Sequence, residues 1–219
     1  MPESQLLSVV LRIPGFLLAI SVHEYAHARM AYALGDDTAE RAGRMTLEPW
    51  AHIDPIGALM LVFLRFGWAR PVPVDPFRLK NPRKDMAKVA FAGPLANLLI
   101  AFLLQVITII VLSFVRLRGT FWAYLPDVLD VAAWVNASLA FFNLIPIPPL
   151  DGWHLLELYI PGSAYDVRSF LERYGFAILL ALVITGIVSS VIGPLVSAYM
   201  NICNLVGLYL SLFIKPFPH

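Results

Sequence analysis

His23, Glu24, Tyr25, Ala26 and His27 interrupt an apolar run, Ile13 to Leu34, whose only other charged side chain is Arg29. An ionisable group deep in such a run costs about 2.5–3.5 kcal/mol unless something compensates it. A bound metal ion is the simplest compensation. In a helix, residues 23 and 27 lie one turn apart on one face, the spacing two imidazoles need to share an ion, and Glu24 projects beside them. Two core histidines satisfied by hydrogen bonds are the competing reading. The pattern predicts a metalloenzyme whose chemistry takes place within the membrane.

Composition fits that setting. Of the 219 residues, 59% are hydrophobic and 14% charged, and the mean hydropathy is +0.73, outside the soluble globular range. The chain is expected to be a multi-pass integral membrane protein and a single domain over 1–219, with its first span retained as the insertion signal. The net charge of +1 identifies no acidic partner, and no nucleic-acid partner is expected. The basic side chains Arg29, Arg41, Arg44, Arg65, Arg70, Arg78, Lys80, Arg83, Lys84 and Lys88 crowd one stretch. The positive-inside rule places that stretch in the cytoplasm. Cys203 is the one cysteine, so no disulfide forms within the chain.

The predicted organisation is all-α. A three-helix core covers about 5–160 and a C-terminal helical hairpin about 174–213, with Gly193 and Pro194 at the middle of that apolar stretch. Gly35 and Asp36 are read as the stop of the first helix. Ile56–Leu64 is too short to span and reads as re-entrant, with β-like segments at Gly43–Leu47 and Pro71–Val74. Residues 119–127, with Trp122 and Tyr124, read as an interfacial loop. A second span covers Val89–Val115 and a third Val128–Ile145, the latter ending in Pro146, Pro148 and Pro149. Counting crossings brings the end of the third span to the cytoplasmic side, where the histidine-bearing helix also ends.

Catalytic zinc usually takes three protein ligands and keeps a fourth position for water. Asp151 is the strongest carboxylate candidate, because it comes after a span and three prolines that deny the segment a regular helix. It could equally N-cap a helix from Gly152 to Tyr159. His52 and His154 read as interfacial or capping residues and stay outside the ligand set.

Residues 23–27, Ala92–Asn97 (Ala-Gly-Pro-Leu-Ala-Asn) and Asn143–Gly152 (Asn-Leu-Ile-Pro-Ile-Pro-Pro-Leu-Asp-Gly) resemble the site-2 protease family of intramembrane zinc metalloproteases. The similarity extends through 43–49, 52–57 and 66–74, in the manner of the short prokaryotic branch without PDZ or CBS domains. The resemblance implies one zinc ion bound by His23, His27 and Asp151, with Glu24 as catalytic base and Asn143 positioning substrate. It places Gly93 and Asn97 in the packing of the three-span core.

The activity so implied is hydrolysis of peptide bonds within or near transmembrane segments, in regulated intramembrane proteolysis. The partners are single-span membrane protein substrates and the lipid bilayer, and homo-oligomer formation is left open. The site would face the cytoplasmic side of a prokaryotic cell membrane. The alternative is a non-proteolytic metal-binding membrane protein or transporter. A transport site has no need of a glutamate next to the first histidine, and the chain shows no repeated halves.

Overall fold

The run that carries both histidines is helical through Ala33. The structure, a computed structural model, describes residues 3–57, 68–114, 124–161 and 163–214. Its helices are α1 (Glu3–Ala33), α2 (Thr38–Arg41), α3 (Pro82–Phe114), α4 (Leu125–Asn143), α5 (Asp151–Glu157), α6 (Tyr165–Ile184) and α7 (Ile187–Ile214). Among the described residues there is no strand, only an isolated antiparallel bridge between Ile53 and Ala69. The chain is an all-α polytopic membrane protein. Among the described residues, three helices are long and apolar enough to cross a bilayer: Pro82–Ser113 of α3, α4, and Ile187–Phe213 of α7.

α1 carries an apolar run of its own, residues 6–22, in which Arg12 is the one charge. Its 31 residues rise about 46 Å, which exceeds a hydrocarbon core. His23, Glu24, His27 and Arg29 follow that apolar run, in the helix's C-terminal third.

Two compact units divide the chain. One comprises Met1–Ala19, Asn97–Phe141 and Ser189–His219. Small residues bring its backbones together: a Cβ on Gly15 would stand 2.7 Å from the Ala132 Cα, and Ala19, Ala133, Ala137 and Ala140 are fully buried. Asn97 Nδ2 donates to the Ala19 carbonyl and to Asn136 Oδ1, both at 2.9 Å, while Asn136 Nδ2 donates to the Ala132 carbonyl at 2.8 Å. This bears out the packing role expected of Asn97. Gln105 donates to Asn204 at 2.7 Å, which ties α3 to α7.

The other unit comprises Ile20–Ala96 and Phe142–Val188. α1 closes as expected at Gly35, whose φ of +106° is a left-handed backbone that suits glycine. Its N–H donates to the Tyr32 carbonyl at 3.1 Å, and that of Asp36 donates to Ala31 at 2.9 Å, so the last turn's orphan acceptors are satisfied. The fully buried Asp36 carboxylate accepts from the Thr38 amide at 3.0 Å, from the Thr38 hydroxyl, and from the Asp75 amide at 2.7 Å. The end of α1 is thereby fastened to the segment approaching Pro76–Arg78.

Some expectations change. Gly43–Leu47 is not an extended edge: Gly43 has φ +65°, and the Gly43 and Arg44 amides donate to Glu40 and Ala39, closing α2. Pro71–Val74 likewise joins no strand. The C-terminal apolar stretch breaks at Thr185–Gly186, where Gly186 has φ +77°, while Gly193 and Pro194 lie inside α7. Interior proline is tolerated in membrane helices because neighbours re-satisfy the freed backbone groups. The charged residues 166–173 are helical and belong to α6. The proposed re-entrant segment lies mostly, and Trp122 wholly, outside the described residues.

Candidate metal centre

α1 presents its two imidazoles edge to face, ring centroids 4.5 Å apart and planes at 89°, with the Nε2 atoms 3.0 Å from one another. His23, Glu24 and His27 are all buried. The turn after α4 brings the third donor. Prolines 146, 148 and 149 keep residues 144–150 irregular, and Leu150 enters α5 in extended conformation without a side-chain cap. Asp151 is therefore the first residue of α5 and not its N-cap. Its neighbour Gly152 permits this tight turn, since a Cβ there would lie 2.3 Å from the Leu144 carbonyl oxygen.

Asp151 Oδ2 stands 3.1 Å from His23 Nε2 and 3.3 Å from His27 Nε2. It is enclosed, yet neither nitrogen meets it in a hydrogen-bonding direction. A tetrahedral ion at ordinary zinc–ligand distances separates its donors by about 3.4 Å. The three edges of this triangle, at 3.0, 3.1 and 3.3 Å, match that requirement. Among the described residues, His23, His27 and Asp151 form the one group of three such side chains able to hold a metal ion.

The surrounding backbone orients these donors. His27 Nδ1 donates to the Val89 carbonyl of α3 at 2.7 Å, which fixes the tautomer and leaves the Nε2 lone pair for a metal. Gly93, one turn further along α3, adjoins both rings: a Cβ there would come within 2.5 Å of His27 Nε2 and 2.7 Å of His23 Cε1. Gly93 thus packs α3 against the two imidazoles, while Asn97 carries the buried hydrogen bonds of the core. Glu24 accepts a hydrogen bond from the Val72 amide at 2.8 Å. Pro71 and Pro73 have no N–H, so this stretch offers little to an added strand.

The remaining candidates fall elsewhere. Asn143 is the last residue of α4, half-buried and outside the three-donor group. His52 is fully buried with Nε2 2.8 Å from the Thr46 carbonyl, and His154 Nδ1 lies 3.4 Å from Glu157. Neither joins the ligands. The Val89 carbonyl and Val72 amide, which aim His27 and Glu24, are backbone groups and leave no mark in a residue pattern.

Comparison with known proteins accords with this geometry. The model of "Peptidase family M50" matches residues 118–182, a range that includes Asp151. YwhC of Bacillus subtilis, named as a candidate zinc metalloprotease, is 36% identical over 183 residues, covering 83% of this chain and 84% of the relative. Rip2 of Mycolicibacterium smegmatis, named in the same way, is 29% identical over 182 residues, covering 80% and 67%. No solved structure gives a significant match. With two imidazoles and a carboxylate converging as zinc requires, this chain belongs to peptidase family M50, the site-2 proteases, and is a membrane zinc metalloprotease.

Proposed function

We propose that this metalloprotease hydrolyses peptide bonds within or beside the transmembrane segments of single-span, membrane-anchored proteins, as in regulated intramembrane proteolysis. The observation that carries the reading is the convergence of His23, His27 and Asp151 beside a buried Glu24, in a chain whose described residues include three helices able to cross a bilayer. The basic stretch between Arg41 and Lys88 argues for a site toward the cytoplasmic side of a prokaryotic cell membrane.

His23, His27 and Asp151 are the residues that would hold the zinc. When bound, the ion supplies Lewis acidity that makes water nucleophilic near neutral pH. Glu24 serves as general base: it takes the proton of the attacking water and delivers it to the departing amine. The Val72 amide holds one oxygen of that carboxylate at 2.8 Å, so the base is aimed before substrate arrives. Asn143, at the end of α4, is assigned to substrate positioning. A substrate helix hides its carbonyls in internal hydrogen bonds and must unwind locally before attack.

Co-expression with a panel of tagged single-span proteins tests this. Wild-type protein should release shortened products, detected by mass spectrometry of the membrane fraction. The Glu24→Gln variant should bind zinc and leave the same proteins intact. Cleavage retained by Glu24→Gln contradicts the assignment.

A further inference from the structure

One peptide group joins a buried cation to Glu24. The hydrogen of the Pro71–Val72 amide points at Glu24 Oε2, with N···O 2.8 Å, while the oxygen of that same amide accepts from Arg44 Nη2 at 3.3 Å. Arg44 Nη2 also donates to the preceding carbonyl, Arg70 O, at 2.7 Å. Arg44 is buried, an uncommon situation for a guanidinium, and its Nη2 donates to backbone far along the chain, while its Nε is buried without a hydrogen-bond partner.

The segment cannot hold this geometry by itself. Prolines on both sides of Val72 leave it one N–H across three residues, and Glu24 takes it. Support arrives from outside. The Val72 side chain packs with Ala28 and Ala39, and Ala28 lies one turn beyond Glu24 on α1. The Arg70 amide donates to the His52 carbonyl at 2.8 Å, and the His52 ring bonds the Thr46 carbonyl at 2.8 Å. Arg44 is the charged member of this bracing. A cation on the amide oxygen polarises the group and strengthens what its N–H donates.

Resting on the reading of Glu24 as general base, we infer that Arg44 is a positioning residue for Glu24, acting through the Pro71–Val72 peptide group. A residue of this kind changes the turnover step and leaves metal and substrate binding in place.

The test uses full-length protein and a single-span panel member that wild type cleaves and Glu24→Gln does not. Arg44→Met should lower kcat about 10–100-fold, with KM within about 2-fold, as expected of a displaced general base. Zinc should remain at one ion per chain. In zinc-free protein, hydrogen exchange at the Val72 amide should be slow in wild type and faster in Arg44→Met. Should Arg44→Met fail to accumulate, Arg44→Lys decides: its single ammonium reaches one carbonyl, and kcat should fall about 10-fold. Wild-type kcat in either variant, with Val72 exchange unchanged, overturns the inference. Cleavage by Glu24→Gln would instead overturn the underlying assignment of the base.

Discussion

A methyl group on Gly93 would stand 2.5 Å from His27 Nε2, so α3 lays its backbone directly against the imidazoles of α1. Gly93→Ala cannot be accommodated without moving His27, His23 or the helix. Groups that orient metal ligands typically govern affinity by about 10–100-fold. The Ala variant is accordingly expected to bind zinc at least about 10-fold more weakly, with its helical content retained. Competition with a chromophoric chelator measures this, and wild-type affinity would refute the close-packing argument.

Asn97 makes two buried hydrogen bonds, to the Ala19 carbonyl and Asn136 Oδ1. Asn97→Ala leaves Asn136 Oδ1 without this donor in an apolar interior and removes the second bond on the Ala19 carbonyl. The expected loss is about 1–2 kcal/mol of stability, within the range measured for buried polar partners. Denaturant titration of the detergent-solubilised protein should show it as a lower midpoint. A midpoint equal to wild type would mean that these bonds contribute nothing net.

Asp36 sets an acid limit on the fold. Burial pushes its carboxyl upward, but hydrogen bonds from the Thr38 hydroxyl and from the Asp75 and Thr38 amides outweigh burial, leaving the group below the usual carboxylate range. A folded value below the unfolded one, about 3.9, means the stabilisation is fully present above that value. It is then lost as pH falls through the folded value. Asp36→Asn places amide hydrogens against existing donors and should destabilise the protein at pH 7. Its deficit relative to wild type should shrink below about pH 4, as wild-type Asp36 protonates. Denaturation midpoints at both pH values check the sign, and a deficit that grows in acid would be the wrong one.

The three candidate ligands were legible because each carries its chemistry in a side chain. His23 and His27 sit at helical spacing, and Asp151 comes after prolines that deny it a helix until the next turn begins. Residues 23 and 27 alone did not decide Asp151, since capping competed with ligation until Leu150 proved to occupy the position before the helix. The supports of the site were not legible. Val89 contributes a carbonyl and Val72 an amide, and any residue except proline could supply the latter. Arg44 looks like one more basic loop residue until its guanidinium is seen on Arg70 and Pro71. The misplaced C-terminal break has a similar origin. Gly193-Pro194 is the stronger breaker in local terms, but a membrane helix absorbs it, and a left-handed Gly186 ends α6 instead.

X-ray absorption at the zinc edge of purified protein tests the central claim most directly. The account predicts one zinc per chain, bound only by nitrogen and oxygen at about 2.0–2.2 Å, with two imidazoles in the scattering pattern. Asp151→Ala and His27→Ala should each lose the ion or visibly alter that pattern. Protein that carries no zinc, or a zinc environment unchanged by both substitutions, would contradict it.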